Sequence, residues 1–222
     1  MHRIVELTKD GSPTITIPEK NITYHSRHGA INESQHIYIN AGLQYFLSQH
    51  HNKAISIFEM GFGTGLNALL TLQLAIAHQI DIHYHAIECY PLTTEEVNQL
   101  HYNQIPEAQP YFAQLHACEW GKDYRLHPYF TIHKTNQSLE ELVLHQQYHV
   151  VYFDAFAPSE QPELWTAAIF SNIFQHLEPN GVLVTYSSKV SVRKAMQQVG
   201  FEVEKIAGPI GKAEIVRAVK QG

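Results

Sequence analysis

Three glycines, Gly61, Gly63 and Gly65, alternate with other residues between a strand-like run and a helix-like run. Residues 54–60, Ala-Ile-Ser-Ile-Phe-Glu-Met, are rich in β-branched and apolar side chains and read as a central strand. Residues 66–77 place Leu66, Leu69, Leu70, Leu72 and Leu74 along a broad apolar helix face. A strand that turns at once into a helix needs corner residues without a Cβ. In open α/β sheets, ligands are received at the carboxyl ends of strands, where this corner lies. The alternation continues downstream. Residues 82–88, 129–133, 150–153 and 182–186 read as further strands, and a helix opens at Thr93 with Glu96 completing a capping box. Helical stretches are expected over 107–116, 162–176 (with Pro162 in its first turn) and 192–199, the last closed by Gly200. Residues 201–206 and 213–219 read as two closing strands. The expected fold class is α/β: a mostly parallel, Rossmann-like sheet with an antiparallel C-terminal edge. Residues 51–222 form the main domain, and residues 1–50 form an extension with a short β-rich piece and a helix over 41–49.

Composition narrows the function. A chain of 222 residues with 44% hydrophobic and 16% charged residues can bury a core unaided. The net charge of −6 gives no overall basic field for nucleic acid, so an RNA-binding surface would have to be local. The 16 histidines exceed the 15 lysines and arginines, so the charge becomes less negative below about pH 6.5. Cys89 and Cys118 fit neither a disulfide framework nor a four-ligand zinc site, and no metal is expected. No run approaches the roughly 18 apolar residues of a membrane span, and MHRIVELTKDG lacks a signal-peptide core. A cytoplasmic protein without membrane contact is expected.

Three ligand classes compete for the glycine corner. An NTP-binding loop requires Gly-Lys-Ser/Thr at its end, but Leu66 and Asn67 follow Gly65. A dinucleotide fingerprint requires a glycine where Leu66 stands. S-adenosyl-L-methionine has no phosphate but carries an ammonium and a sulfonium, so an acid leading into the corner suits it, and Glu59 is there. Glu88 ends the next strand, where an acidic residue in nucleotide-binding folds takes the ribose hydroxyls.

With these residues in view, Phe58-Glu59-Met60-Gly61-Phe62-Gly63-Thr64-Gly65-Leu66-Asn67 resembles the first motif of MnmC-type tRNA methyltransferases. Asp154-Ala155-Phe156-Ala157-Pro158, followed by Pro162-Glu163-Leu164-Trp165-Thr166, is similar to that family's second hallmark. Thr185-Tyr186-Ser187, Val192-Arg193, Gly200-Phe201-Glu202-Val203 and Gly208-Pro209-x-Gly211-Lys212 continue the likeness, as does Glu33-Ser34 before His36-Ile37-Tyr38-Ile39-Asn40. The resemblance implies a class I methyltransferase fold and S-adenosyl-L-methionine as cofactor. The implied substrate is the primary amine of 5-aminomethyl-2-thiouridine at the tRNA wobble position. It implies the stand-alone form without the oxidase domain of bifunctional members, so a separate enzyme would supply the amine. Asn136 stands where the family commonly has an acid near the adenine, and Ala213 where it commonly has a second basic residue.

On that resemblance, the cofactor-binding candidates are Glu33, Glu59, Gly61, Gly63, Gly65, Glu88, Asn136 and Asp154. Asp154 is also a catalytic candidate, because a carboxylate can accept a hydrogen bond from an amine and fix its direction. Phe156 offers a face for an extruded uracil. Pro158 stiffens its loop, Tyr186 lines the pocket, and Trp165 is a second stacking candidate. Lys189, Arg193 and Lys212 are candidate RNA contacts, with Lys194, Lys205, Arg217, Arg27 and His28 as neighbours in the patch. Two rivals are a small-amine methyltransferase or aminopropyltransferase on the same fold, and a non-catalytic protein that keeps the fold.

Overall fold

The computed structural model describes residues 2–222. Strands β1 (Ile4–Leu7), β2 (Pro13–Ile17) and β3 (Ile22–Thr23) form a small antiparallel sheet, with β2 buried along its length. A helical stretch follows: α1 (Ala30–Ser34), a π-helical run Gln35–Gln44, and α2 (Tyr45–Gln49). It begins well before residue 41, where a helix is expected from sequence.

The main sheet is built from β4 (Ala54–Met60), α3 (Leu66–His78), β5 (Asp81–Ile87), α4 (Thr94–Val97), α5 (Phe112–Ala117), β6 (Asp123–His127), β7 (Phe130–Thr135), β8 (Tyr148–Phe153), α6 (Ala167–Gln175), β9 (Leu177–Thr185), α7 (Val190–Gln198), β10 (Glu202–Ala207) and β11 (Glu214–Val219). Its strand order is β10-β11-β9-β8-β4-β5-β7-β6. The five strands from β9 to β7 run parallel, β11 and β6 run against them at the two flanks, and β10 pairs antiparallel with β11 at the outer edge. The α/β class and the antiparallel C-terminal edge match the expectation. Four local readings are corrected. The stretch 107–116 is a 3₁₀ turn, Gln109–Tyr111, leading into the short α5. The helix expected over 162–176 breaks at Thr166, which leaves the 3₁₀ turn Pro162–Trp165 and caps α6 by accepting from the Ile169 amide. The strand expected over 182–186 begins earlier, at Leu177, so that Pro179 and Asn180 lie inside β9, where the register against β8 shifts and Asn180 takes φ 62°. β6 adds an edge strand that the expected elements do not include.

One buried cluster joins Ile15 of β2 and Ile37 and Leu43 of the helical stretch to Ile57, Leu69, Tyr152 and Val184 around the main sheet. Gly42 sets how closely the helical stretch approaches that sheet. A Cβ there would stand 2.8 Å from Val184 Cγ2 and 3.4 Å from the Tyr152 ring. Alanine's better helix propensity offsets about 1 kcal/mol, but overpacking costs about 1–3 kcal/mol. Gly42→Ala should therefore lose about 1 kcal/mol in urea denaturation. An unchanged midpoint would mean that Val184 yields freely.

Candidate active site

Leaving β4, the chain winds outward through β5 and β7, then returns to the other side of β4 as β8 and β9. The carboxyl ends of β4 and β8 therefore diverge at the topological switch point, where such sheets bind ligands. A cleft of about 560 Å³ opens there. Glu33, Gly61, Gly63, Glu88, Asp154, Phe156, Tyr186 and Lys212 line it.

The glycine corner is a steric necessity. Gly61 takes φ 90°, and a Cβ on it would lie 2.6 Å from the Asp154 carbonyl oxygen. At Gly63, also at positive φ, a Cβ would meet the Tyr24 ring at 3.3 Å. Gly65 lies buried beneath, at the start of α3 and outside the cleft lining. His116 braces the corner from behind, its Nε2 3.0 Å from the Thr64 carbonyl. Burial lowers the His116 pKa to about 4, so the ring is neutral and Nε2 donates. Lys134 secures that brace. Its buried ammonium donates to the carbonyls of Leu115 (2.9 Å) and His116 (2.7 Å) at the end of α5.

Glu88 follows β5 directly. One carboxylate oxygen accepts from the Gly63 amide at 3.0 Å and the other from Tyr90 at 2.9 Å. The acid is thus tied to the corner while facing the cleft. Asn136 is exposed and outside the lining, and its amide donates to the Glu88 carbonyl at 3.1 Å. Glu59 lies below the floor of the cleft, not in its wall. Strand alternation turns it to the same face as Tyr84 and Tyr152, where it is wholly buried. Burial drives its acid well above the ordinary carboxylate range, with Asp154 and Glu88 adding to the effect. A direct contact between Glu59 and a cofactor cation is therefore not part of this arrangement.

Asp154 stands immediately after β8, its amide held by the Met60 carbonyl at 3.0 Å. Its Oδ2 accepts from Asn67 Nδ2 at 3.0 Å. Burial pushes its carboxyl up to about 7, and Glu33 adds to this, while the Tyr38 hydroxyl, the Asn67 amide and Lys212 oppose it. Glu33 accepts from the Ser26 amide at 2.6 Å and pairs with Lys212 at 3.3 Å. The Lys212 ammonium also lies 4.7 Å over the Tyr186 ring.

Three side chains fix the loop after Asp154. Tyr186 donates to the Ala155 carbonyl at 2.8 Å, Trp165 donates to the Phe156 carbonyl at 2.9 Å, and Gln161 accepts from the Phe156 amide at 3.0 Å. The Phe156 ring meets Tyr24 edge-on at 5.3 Å. Trp165 is buried against Phe153, so it holds the loop rather than offering a stacking face. Pro158 lies on the loop but outside the lining. The wall opposite comes from residues 17–26, to which the sequence by itself assigns no role. An aromatic residue, Tyr24, ending the β-rich piece is the only signal there.

Lys189 is exposed at the start of α7, and Arg193 one turn on donates to the Ser188 carbonyl at 3.2 Å; neither lines the cleft. Lys205 and Arg217 are paired with Glu214 and Glu204 across the β10–β11 hairpin, which removes them from a free basic patch. Among the described residues, no three His, Cys, Asp or Glu side chains gather as a metal ion would need, and no helix is long and apolar enough to cross a membrane.

The lining fits a nucleoside bearing a cationic chain. Glu88 faces the cleft for vicinal hydroxyls, the Cβ-free corner admits close approach, and the Asp154 and Glu33 carboxylates favour positive charge.

Comparisons with known proteins agree. A family model described as S-adenosyl-L-methionine-dependent methyltransferase matches residues 93–221. The chain is 30% identical over 234 residues to the tRNA 5-methylaminomethyl-2-thiouridine biosynthesis bifunctional protein MnmC of Burkholderia mallei (strain SAVP1), covering 95% of this chain and 35% of that protein. The protein of the same name from Idiomarina loihiensis is 29% identical over 221 residues, covering 92% of this chain and 36% of its own. The chain thus spans about a third of the length of these curated relatives. Among solved structures, MnmC2 from Aquifex aeolicus superposes with a TM-score of 0.80 at 26% identity, over 98% of this chain and 70% of that one. Spermidine synthase from Thermotoga maritima, at 12% identity and a TM-score of 0.57 over 99% of this chain and 69% of that one, shares the fold alone.

Proposed function

This chain belongs to the family of S-adenosyl-L-methionine-dependent methyltransferases, and we propose that it methylates the primary amine of 5-aminomethyl-2-thiouridine at the wobble position of tRNA. The observation that carries this reading is the placement of Asp154. It is a partly buried carboxylate at the switch point, with the Phe156 face beside it and the glycine corner across from it. The curated relatives, which match 95% of this chain, bear the methylaminomethyl product in their names.

When bound, S-adenosyl-L-methionine supplies an electrophilic methyl group on a sulfonium. Gly61, Gly63 and Glu88 would hold it, with Asn136 fixed against the Glu88 backbone. The protein's own task is alignment of the amine lone pair, since in-line substitution needs little else. Alkylammonium groups resemble lysine, with a pKa near about 10.4, and lack a lone pair. Asp154 and Glu33 draw such a group into the cleft. Lys212, paired with Glu33, limits the negative charge that would otherwise hold the amine protonated. Once the ammonium has given a proton to solvent, Asp154 accepts a hydrogen bond from the neutral amine and fixes its direction, and the methylated ammonium that results carries its extra proton out to solvent. Phe156 and Tyr24 supply faces on which an extruded uracil stacks. Lys189 and Arg193 would meet the RNA backbone outside the cleft, a local contact suited to a chain of net charge −6. The reaction that exposes the primary amine must act first.

The test supplies methyl-labelled S-adenosyl-L-methionine with tRNA carrying the aminomethyl group, the same tRNA lacking it, or polyamines. Label is expected in the first RNA only. Label in polyamines and none in RNA would replace this reading with a small-amine transferase.

A further inference from the structure

Glu59 is a buried acid that the reaction above does not use, and it lies directly behind Asp154. Four oxygens on Glu59 and its neighbours Asn67 and Tyr84 have no hydrogen-bond partner: both carboxyl oxygens of Glu59, Oδ1 of Asn67 and the Tyr84 hydroxyl; the Tyr38 hydroxyl on the Asp154 side has none either. Their residues are at most 3% exposed, so water does not serve them. The other end of Asn67 is committed, because its Nδ2 donates to Asp154. Turning the amide over would set its oxygen against the Asp154 carboxylate, acceptor against acceptor. The amide oxygen therefore looks inward, where Glu59 adjoins both Asn67 and Tyr84. An ionised Glu59 would bring two more acceptors and no donor. With its proton kept, Glu59 donates to Asn67 Oδ1 and accepts from the Tyr84 hydroxyl, and small side-chain rotations pair all four oxygens.

We propose that Glu59 remains a neutral acid that locks the Asn67 amide, and that Asn67 is the positioning residue that aims the Asp154 carboxylate into the cleft. The proposal rests on the reading of Asp154 as the group that meets the amine. Other charged and titratable groups surround the pair. Asp154 also faces Tyr38 and Glu33 from the helical stretch, Tyr186 beyond β9 and Lys212 from the β10–β11 loop. Glu59 also faces Tyr152 on β8 and Glu88 beyond β5. None of them donates to the Asn67 amide oxygen.

The test is a carboxyl titration by carbon-13 NMR on the full chain, with no cofactor or RNA present. Asp154 should titrate near 7 in the wild type. In Asn67→Ala its midpoint should rise by about one pH unit, because the ionised form loses a hydrogen bond. Glu59→Gln keeps an N–H donor for the amide oxygen and cannot ionise, so the Asp154 midpoint should stay where the wild type has it. An unmoved midpoint in Asn67→Ala overturns the positioning role. A Glu59 signal already ionised in the wild type at pH 7 overturns the lock, whether or not the variants fold. In methyl-transfer assays the acid limb of kcat/KM should shift with the Asp154 midpoint while KM for S-adenosyl-L-methionine holds. A wild type that transfers no methyl to RNA would defeat the proposed function, and the carboxyl titrations would still judge the lock.

Discussion

Replacing Asp154 with asparagine is expected to lower kcat/KM for methyl transfer by about 10²-fold or more, the cost of losing the alignment of the reacting amine. The variant should remain folded, because asparagine preserves the shape of the side chain. Stability should even improve above neutral pH. The Asp154 carboxyl sits at about 7 in the folded chain against an ordinary value of 3.8. Between those values the unfolded chain ionises while the folded one keeps its proton, so the folded state loses stability as pH climbs from about 4 through 7. The neutral amide of the variant carries no such penalty. Thermal denaturation should show Asp154→Asn melting above the wild type at pH 8, with the gap closing toward pH 4. The activity of the wild type should rise through the same region as the carboxylate forms. Methyl transfer by Asp154→Asn at the wild-type rate would remove this residue from the mechanism.

Gly61→Ala should be the most damaging substitution at the corner. The new Cβ would lie 2.6 Å from the Asp154 carbonyl oxygen and 3.3 Å from its carbon. Neither strand end can retreat: the Asp154 amide is held by Met60 and the Gly61 amide by Ile87. A positive φ costs alanine about 1–2 kcal/mol, and overpacking adds about 1–3 kcal/mol. The loss in urea denaturation should therefore be about 2–5 kcal/mol, together with at least about tenfold weaker cofactor binding by calorimetry. Gly121 provides the comparison, since it has φ 76° and nothing within 4 Å of its would-be Cβ. Gly121→Ala should cost only the conformational share, about 1–2 kcal/mol. Equal losses at the two sites would contradict the steric account of the corner.

Which features are legible in sequence follows from how each is encoded. The corner is readable because three glycines at one strand-to-helix junction have few other uses. Asp154 is readable because it ends the apolar run of β8, and Glu88 because it ends β5. Glu59 is misplaced by sequence for a physical reason. Strands of a parallel sheet are buried on both faces, so apolar patterning does not tell which face an acid takes. The helical stretch before residue 41 is hidden because Ile37 and Ile39 alternate with Tyr38 and Asn40 in strand fashion. β6 is hidden because its first three residues are exposed and show no alternation. The pairing of Lys205 with Glu214 and of Arg217 with Glu204 depends on hairpin register, which charge counting along the chain does not reveal. The cleft wall from residues 17–26 forms no motif along the chain, and Tyr24 and Ser26 gain their roles only by where the small sheet docks.

The most direct test of the whole reading is nucleoside mass spectrometry. tRNA carrying 5-aminomethyl-2-thiouridine is incubated with S-adenosyl-L-methionine and either the wild type or Asp154→Asn, then digested and analysed. The wild type should convert the wobble nucleoside to its methylaminomethyl form, with a single methyl added on nitrogen, and the variant should leave it unconverted. A wobble nucleoside that stays unchanged with folded, cofactor-bound wild type, or a methyl found on another nucleoside, would contradict it.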